Sequence, residues 1–164
     1  MFSFCPYCAA KAPPHDKEFQ CQTCKIWTHY ASFPTASIVA IVGDEMLLSV
    51  RGIEPGKGTL DIVGGFLKQG EDPVDGALRE FKEETGGEID REKLKFLMCG
   101  IGRYMYQNEN IYTFNMTYFI VLDEKPQLKA SDDVAELKWA PIEGEYDFAF
   151  PYLYEIQAEV KRVV

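Results

Sequence analysis

The stretch GFLKQGEDPVDGALREFKEETGG, residues 65–87, decides the fold. Asp72 suits an N-cap and Pro73 the first helical position, where its missing N–H costs nothing. Gly86-Gly87 stops the helix. Between them Val74, Ala77, Leu78 and Phe81 recur at i, i+3, i+4 and i+7, the spacing of a buried stripe. Glu80 and Glu84 lie four residues apart on one face, with Glu83 beside them. That face is roughly opposite Phe81 and Leu78, so it is expected to look away from the buried stripe. Like charges so placed destabilise a helix by about a few tenths of a kcal/mol per pair. A divalent cation, which prefers hard carboxylate oxygens, would turn the repulsion into coordination. A solvated acidic face is the alternative for this segment taken by itself.

On the N-terminal side of this stretch, Leu60 to Val63 reads as a short strand running into Gly64-Gly65. Residues 51–59, with three glycines and a proline, read as a loop. Ala36 to Val42 and Met46 to Val50 read as strands joined by a tight turn at Gly43-Asp44. On the C-terminal side, Leu94 to Ile101, Ile111 to Leu122 and Glu136 to Ala140 are strand candidates. The tail from Ala149 reads as a helix with Leu153, Ile156 and Val160 on one face. Strands outnumber helices and the helices lie apart, which predicts an α/β fold with a mixed sheet flanked by helices.

Counted from Gly65, five residues lead to Glu71 and seven more to Arg79. Then come Glu80, an apolar Phe81, Lys82, Glu83-Glu84, Thr85 and Gly86. This spacing resembles the Nudix box, G-x5-E-x7-R-E-U-x-E-E-x-G-U, at every position but the last. There Gly87 replaces an aliphatic residue, a change expected to loosen the helix exit without touching the carboxylates. The resemblance implies the Nudix α/β/α sandwich. It also implies Mg²⁺- or Mn²⁺-dependent hydrolysis of a small nucleoside diphosphate linked to another group. It assigns metal binding to Glu80, Glu83 and Glu84, with the Gly65 carbonyl as a further ligand. Arg79 would orient the cluster by pairing with Glu71. A carboxylate must take the proton of the attacking water. Glu80 is preferred, with Asp132, Asp133 and Glu136, on the loop before Trp139, as alternatives.

Composition changes near Phe33-Pro34, which divides the chain into residues 1–33 and 34–164. The first part holds two CxxC pairs, Cys5/Cys8 and Cys21/Cys24. Four thiolates at this spacing suit tetrahedral Zn²⁺, and four protein ligands leave no open position, so the metal would be structural. Free or redox-active cysteines are the alternative. His15 and His29 are read as surface or packing residues, and Cys99, in a strand, as a core residue. A zinc ribbon before such a domain is similar to the arrangement in NADH pyrophosphatases. The S-Q-P-W-P-F-P-x-S element of those enzymes has no counterpart in Met98 to Ile111. The proline that often marks ADP-ribose pyrophosphatases is replaced by Ile101-Gly102. Tyr104 falls about where diadenosine-polyphosphate hydrolases carry a tyrosine, with Tyr106 and Tyr112 close by. NADH, ADP-ribose and dinucleotide polyphosphates therefore all stand as candidate substrates. The ribbon is expected to serve as a clamp on the sheet, an element of a homodimer or a wall of the pocket.

A net charge of −9 argues against a sequence-independent grip on nucleic acid, which needs cations to displace phosphate counterions. The hydrophobic share of 46% suffices for a substantial core, so disorder is not expected. No apolar run approaches a membrane span, and the first residues lack a basic leader. A cytoplasmic protein is expected. Two further functions are weighed against hydrolysis of a small nucleotide. One is a sensing or protein-binding module that keeps the fold without the chemistry, against which the intact box carboxylates stand. The other is processing of a capped RNA end, with Lys11, Lys17 and Lys25 offering local basic patches.

Overall fold

The computed structural model describes residues 3–14, 18–106 and 109–164. The chain divides into two compact units, Met1–Ser32 and Phe33–Val164. In the first, β1 (Phe19–Gln20) and β2 (Trp27–Thr28) pair antiparallel, and Cys5, Phe19 and Cys21 form a small interior. His15 and Lys17 lie outside the described residues.

The second unit begins with β3 (Phe33–Val42) and β4 (Glu45–Arg51), a hairpin closed by Gly43-Asp44. Next come β5 (Leu60–Asp61), β6 (Val63–Phe66) and α1 (Pro73–Thr85). The long hairpin β7 (Lys95–Tyr106) and β8 (Glu109–Val121) follows, then β9 (Val134–Pro141) and α2 (Tyr152–Val163). The strands run in the order β5-β4-β3-β8-β7, with β6 also on β3 and β9 also on β4. β3 and β8 are parallel and the other pairs antiparallel, so the sheet is mixed.

Side chains alternate across a strand, and in β3 both faces are buried. Ala36, Ile38 and Ala40 join Ala77 and Phe81 of α1 in one core cluster. Val39 and Ile41 join Leu153, Ile156 and Val160 of α2 in another. The sheet is thus the middle layer of an α/β/α sandwich. α1 starts where the sequence says it should: the Asp72 carboxylate accepts from the Val74 and Asp75 N–H groups. It ends at Gly86, whose φ of 67° is the left-handed conformation that glycine adopts without steric cost.

β3 and β4 stay paired only beside their turn, at Ile41–Met46 and Val42–Glu45. Beyond it β3 takes β6 as a neighbour and β4 takes β9. Gly64 and Gly65 accordingly lie inside β6 rather than after a strand. A Cβ on Gly64 would run into the Ala36 carbonyl and Ser37, so only glycine lets β6 lie this close to β3.

One expectation is corrected. Cys99 is exposed, because it alternates with the buried-side residues of β7 and projects from the other face. At Gly87, Leu128 occupies the space that a side chain would take. No helix of the described residues is long and apolar enough to cross a membrane.

Phe81 is 1% exposed and joins α1 to the sheet. Phe81→Ala is expected to cost about 3–5 kcal/mol, read from urea denaturation midpoints. Phe96→Ala, at a ring 59% exposed, should change stability by no more than roughly 0.5 kcal/mol.

Candidate active site

The acidic face of α1 is divided: Glu83 is exposed, whereas the Glu80 and Glu84 carboxyls pack against β6, which the glycine pair allows to approach. A Cβ on Gly65 would sit 2.6 Å from the Glu80 carboxyl carbon. Glu84 is 8% exposed and accepts a hydrogen bond of 2.9 Å from the Gly64 N–H.

Arg79 organises the neighbouring acids. Its Nε and Nη2 bond Glu71 bidentately at 2.7 and 2.8 Å. Nη1 donates to Glu80 at 2.7 Å and Glu83 at 2.8 Å, and Nη2 also donates to the Phe66 carbonyl at 3.1 Å. The Arg79 bonds, with a contribution from the Lys68 backbone N–H, hold Glu71 down at about 2. Burial raises Glu80 above the ordinary carboxylate value, against the opposing pull of Arg79. Burial pushes Glu84 up to about 8, the Gly64 bond opposing and the charges of Glu80, Asp61 and Asp133 adding to the rise. Among the described residues Glu84 has no ion pair. A buried acid beside other acids is a donor set of hard oxygens that a divalent cation would neutralise.

Glu84, Gly64 and Gly65 line a cavity of about 240 Å³ that opens where β3 and β4 part. Its floor is polar. Thr35 donates to Asn115 at 2.6 Å, and Ser37 lies 3.1 Å from the Thr117 hydroxyl. Arg51 reaches in from the end of β4, bonded to Asp61 at 2.7 Å and to the Pro55 carbonyl at 2.6 Å. Phe150 and Tyr104 stack near its guanidinium, at 5.0 and 5.9 Å from the ring centroids. Phe66 meets Tyr104 edge to face at 5.7 Å.

Of the alternative bases, Asp133 lines the cavity, and Asp132 is near enough to raise Glu80. Glu136 is 59% exposed on β9 and pairs with Lys138. Tyr112 is exposed, with the Arg103 guanidinium over its ring, and does not line the cavity. Sequence reasoning missed Arg51, Asp61, Phe66, Phe150 and the polar floor. The only sequence signal for the floor is the alternation Thr113-x-Asn115-x-Thr117 in a strand whose even positions from Tyr112 to Ile120 are aromatic or aliphatic.

In the first unit the ligand atoms of Cys5, Cys8, Cys21 and Cys24 all lie within 4.8 Å of one another. Cys5 and Cys24 sulfurs are 3.7 Å apart and those of Cys8 and Cys21 3.6 Å. A tetrahedron of Zn–S bonds of about 2.3 Å has edges of about 3.8 Å, so these four could hold zinc. The Cys24 backbone N–H is the main cause that lowers the Cys21 thiol to about 6. Among the described residues only these four make a group this tight; the α1 carboxylates do not gather to that closeness. His29 is exposed and bonded to Glu18 at 2.8 Å.

The NUDIX domain family model matches residues 32–160. The chain is 32% identical over 85 residues to the NAD-capped RNA hydrolase NudC of Vibrio parahaemolyticus. That alignment covers 51% of this chain but only 32% of the relative, so the chain spans about a third of the relative's length. Among solved structures, a MutT/nudix family protein from Enterococcus faecalis superposes with a TM-score of 0.69 at 22% identity, over 83% of this chain and 63% of that one. The NUDIX domain of Shewanella oneidensis NrtR, complexed with ADP ribose, gives 0.68 at 19% identity, over 82% of this chain and 90% of that one. A NUDIX hydrolase from Nitrosomonas europaea gives 0.65 at 19% identity, over 98% and 89%.

Because Arg79 lowers the Glu71 carboxyl in the folded protein, that interaction stabilises the fold above the ordinary carboxylate range and fades as pH falls toward 2. Glu71→Gln should therefore lower the denaturation midpoint at pH 6. The difference from wild type should shrink steadily between pH 4.5 and 3. A gap that stays constant over that range would mean the charge of Glu71 is not what matters.

Proposed function

Since this chain belongs to the NUDIX family, we propose that it hydrolyses the diphosphate linkage of a nucleoside diphosphate derivative with Mg²⁺ or Mn²⁺. The observation that carries this reading is Glu84, a buried carboxylate without a cationic partner among the described residues, opening with Gly65 onto a cavity that also holds Arg51. Glu80, Glu83, Glu84 and the Gly65 carbonyl are the residues that would hold the cation. When bound, a divalent ion supplies positive charge to the phosphate oxygens and acidifies water. Arg79 keeps Glu80 and Glu83 in place on the helix face. Arg51, fixed by Asp61, offers a cation to a phosphate lying in the cavity. The Phe66–Tyr104 pair offers a face to a base or ribose.

We assign the proton of the attacking water to Glu80. As its carboxylate takes that proton, the water oxygen forms a bond to phosphorus and the bridging P–O bond breaks, the leaving phosphate carrying off the electron pair. Asp133, on the cavity wall, is the alternative base.

NADH, ADP-ribose and dinucleotide polyphosphates remain the substrate candidates, the second of them supported by the ADP ribose in the NrtR domain. The NAD-capped RNA hydrolase among the relatives supports a second reading, in which the diphosphate belongs to a capped RNA end. A panel of these compounds and an NAD-capped oligonucleotide, assayed with Mg²⁺ or Mn²⁺ and with chelator, separates the two readings. Glu84→Gln and Glu80→Gln should each lower kcat by roughly a hundred-fold or more with the fold intact. Near-wild-type turnover of Glu84→Gln at saturating metal would overturn the metal assignment. A larger loss in Asp133→Asn than in Glu80→Gln would move the base to Asp133.

We also infer that Cys5, Cys8, Cys21 and Cys24 hold a structural Zn²⁺, supported by the sulfur spacing. A unit this short buries little core, so a metal would supply much of its stability. Protein prepared without chelators is expected to contain about one zinc per chain by elemental analysis. Metal-free protein with an intact, protease-resistant N-terminal unit would refute this.

A further inference from the structure

We propose that Leu128 is a positioning residue. Seated in the notch that Gly87 leaves at the end of α1, it anchors the 123–133 connector and so sets Asp132 and Asp133 against the acidic face of the helix. A Cβ on Gly87 would lie 2.5 Å from Leu128 Cδ2 and 3.1 Å from Phe81 Cε1. The volume that a side chain at position 87 would fill from the helix is filled here from the connector. Leu128 is the one residue of 123–133 that joins the hydrophobic cluster of α1.

The contact is continued by backbone bonds. The Lys129 N–H donates to the Thr85 carbonyl and the Ser131 N–H to the Glu84 carbonyl, both at 2.9 Å. These satisfy carbonyls at the helix C-terminus that have no partner within the helix. The chain then turns through Asp132 at φ 53°. At the far side Gly52 donates to the Asp133 carbonyl at 2.7 Å. The segment between Leu128 and Asp133 is thus held at both ends, and Asp133 comes to line the same cavity as Glu84. A one-residue change in the box and a leucine some forty positions later form a single device. The glycine gives up a side chain, and the leucine that replaces it brings two acids with it.

The catalytic part of this inference rests on the proposed hydrolysis; the anchor itself does not. The test uses the full chain with Leu128→Ala, Gly87→Val, the double variant and Leu128→Met. Amide hydrogen exchange at Lys129 and Ser131 reads the connector, and kcat, KM and Tm are measured beside it. Leu128→Ala, which removes the anchor, and Gly87→Val, which evicts it, are both expected to speed exchange at those two amides by roughly ten-fold. Protection in the middle of α1 should be unchanged. kcat should fall by roughly ten-fold with little change in KM. Leu128→Met should restore both protection and turnover. In the double variant the side chain introduced by Gly87→Val refills the space, so Tm should recover, while exchange and kcat stay impaired because the connector still lacks its anchor. Unchanged exchange in Leu128→Ala would overturn the proposal, as would kcat that returns with Tm in the double variant. A wild type that cleaves nothing on the panel would sink the hydrolase reading alone, and exchange would still decide the anchor.

Discussion

One guanidinium holds the acidic face of α1 together. All five N–H donors of Arg79 are used, on three carboxylates and one backbone carbonyl. Without it Glu71, Glu80 and Glu83 would repel one another across a surface pressed against β6. Because its acceptors come from β6, from the loop before the helix and from the helix itself, it also fixes how the strand turns into the helix. Glu84 makes no bond to it and, among the described residues, accepts from the Gly64 N–H alone. The site is therefore built from three acids gathered on one cation and a fourth, deeper, that has no ion pair among the described residues.

A second constraint shapes the space in front of Glu84. β8 reverses the usual arrangement: Thr113, Asn115 and Thr117 are buried, while Tyr112 and Phe114 on the other face are exposed. Burying hydroxyls and an amide is tolerable only if they are hydrogen-bonded. The bonds run across the parallel pairing of β3 and β8, Thr35 to Asn115 and Ser37 to Thr117. This polar belt interrupts the core on the α2 side and leaves a cavity where other alternate residues of β3, such as Val39 and Ile41, pack tightly.

What was legible in the sequence was what local physics determines. The caps of α1 and the period of its stripe depend on residues within one element, and Asp72, Pro73 and Gly86 behave as their chemistry dictates. The pairing of Arg79 with Glu71 was legible through the resemblance to the box. The polar floor was not, because alternating polar and apolar residues in a strand do not say which face is inside, and in β8 the ordinary assignment is inverted. Arg51 and Asp61 were hidden because an ion pair between two strands has no local signature. Cys99 was misplaced for a related reason: a small sulfur residue is usually buried, but its exposure here is set by the register of β7, which only the tertiary structure fixes. The parting of β3 and β4, on which the cavity depends, likewise comes from competition among β6, β9 and the hairpin for the same edges.

The balance of charge at the site differs from that of the whole chain. A net charge of −9 would by itself repel a diphosphate, but beyond a screening length of about 8 Å at physiological ionic strength it is the local charges that count. Within the cavity Asp61 is matched by Arg51, and beside it the single charge of Arg79 is shared among Glu71, Glu80 and Glu83. Arg103, Glu84 and Asp133 are the other residues with acidic or basic side chains in the cavity lining, and burial holds Glu84 toward its neutral form until a cation is present. On the proposed function, an arriving phosphate group would meet the fixed Arg51 cation on the β4 side and, on the helix side, acids that only a bound cation would turn into partners. On the same reading, substrate and metal would each supply charge that the other needs to enter a cavity whose floor is already occupied with its own hydrogen bonds. The protein's contribution is to keep the Glu84 carboxyl buried on the wall of a cavity that also holds Arg51, and the glycine pair of β6 is what permits it.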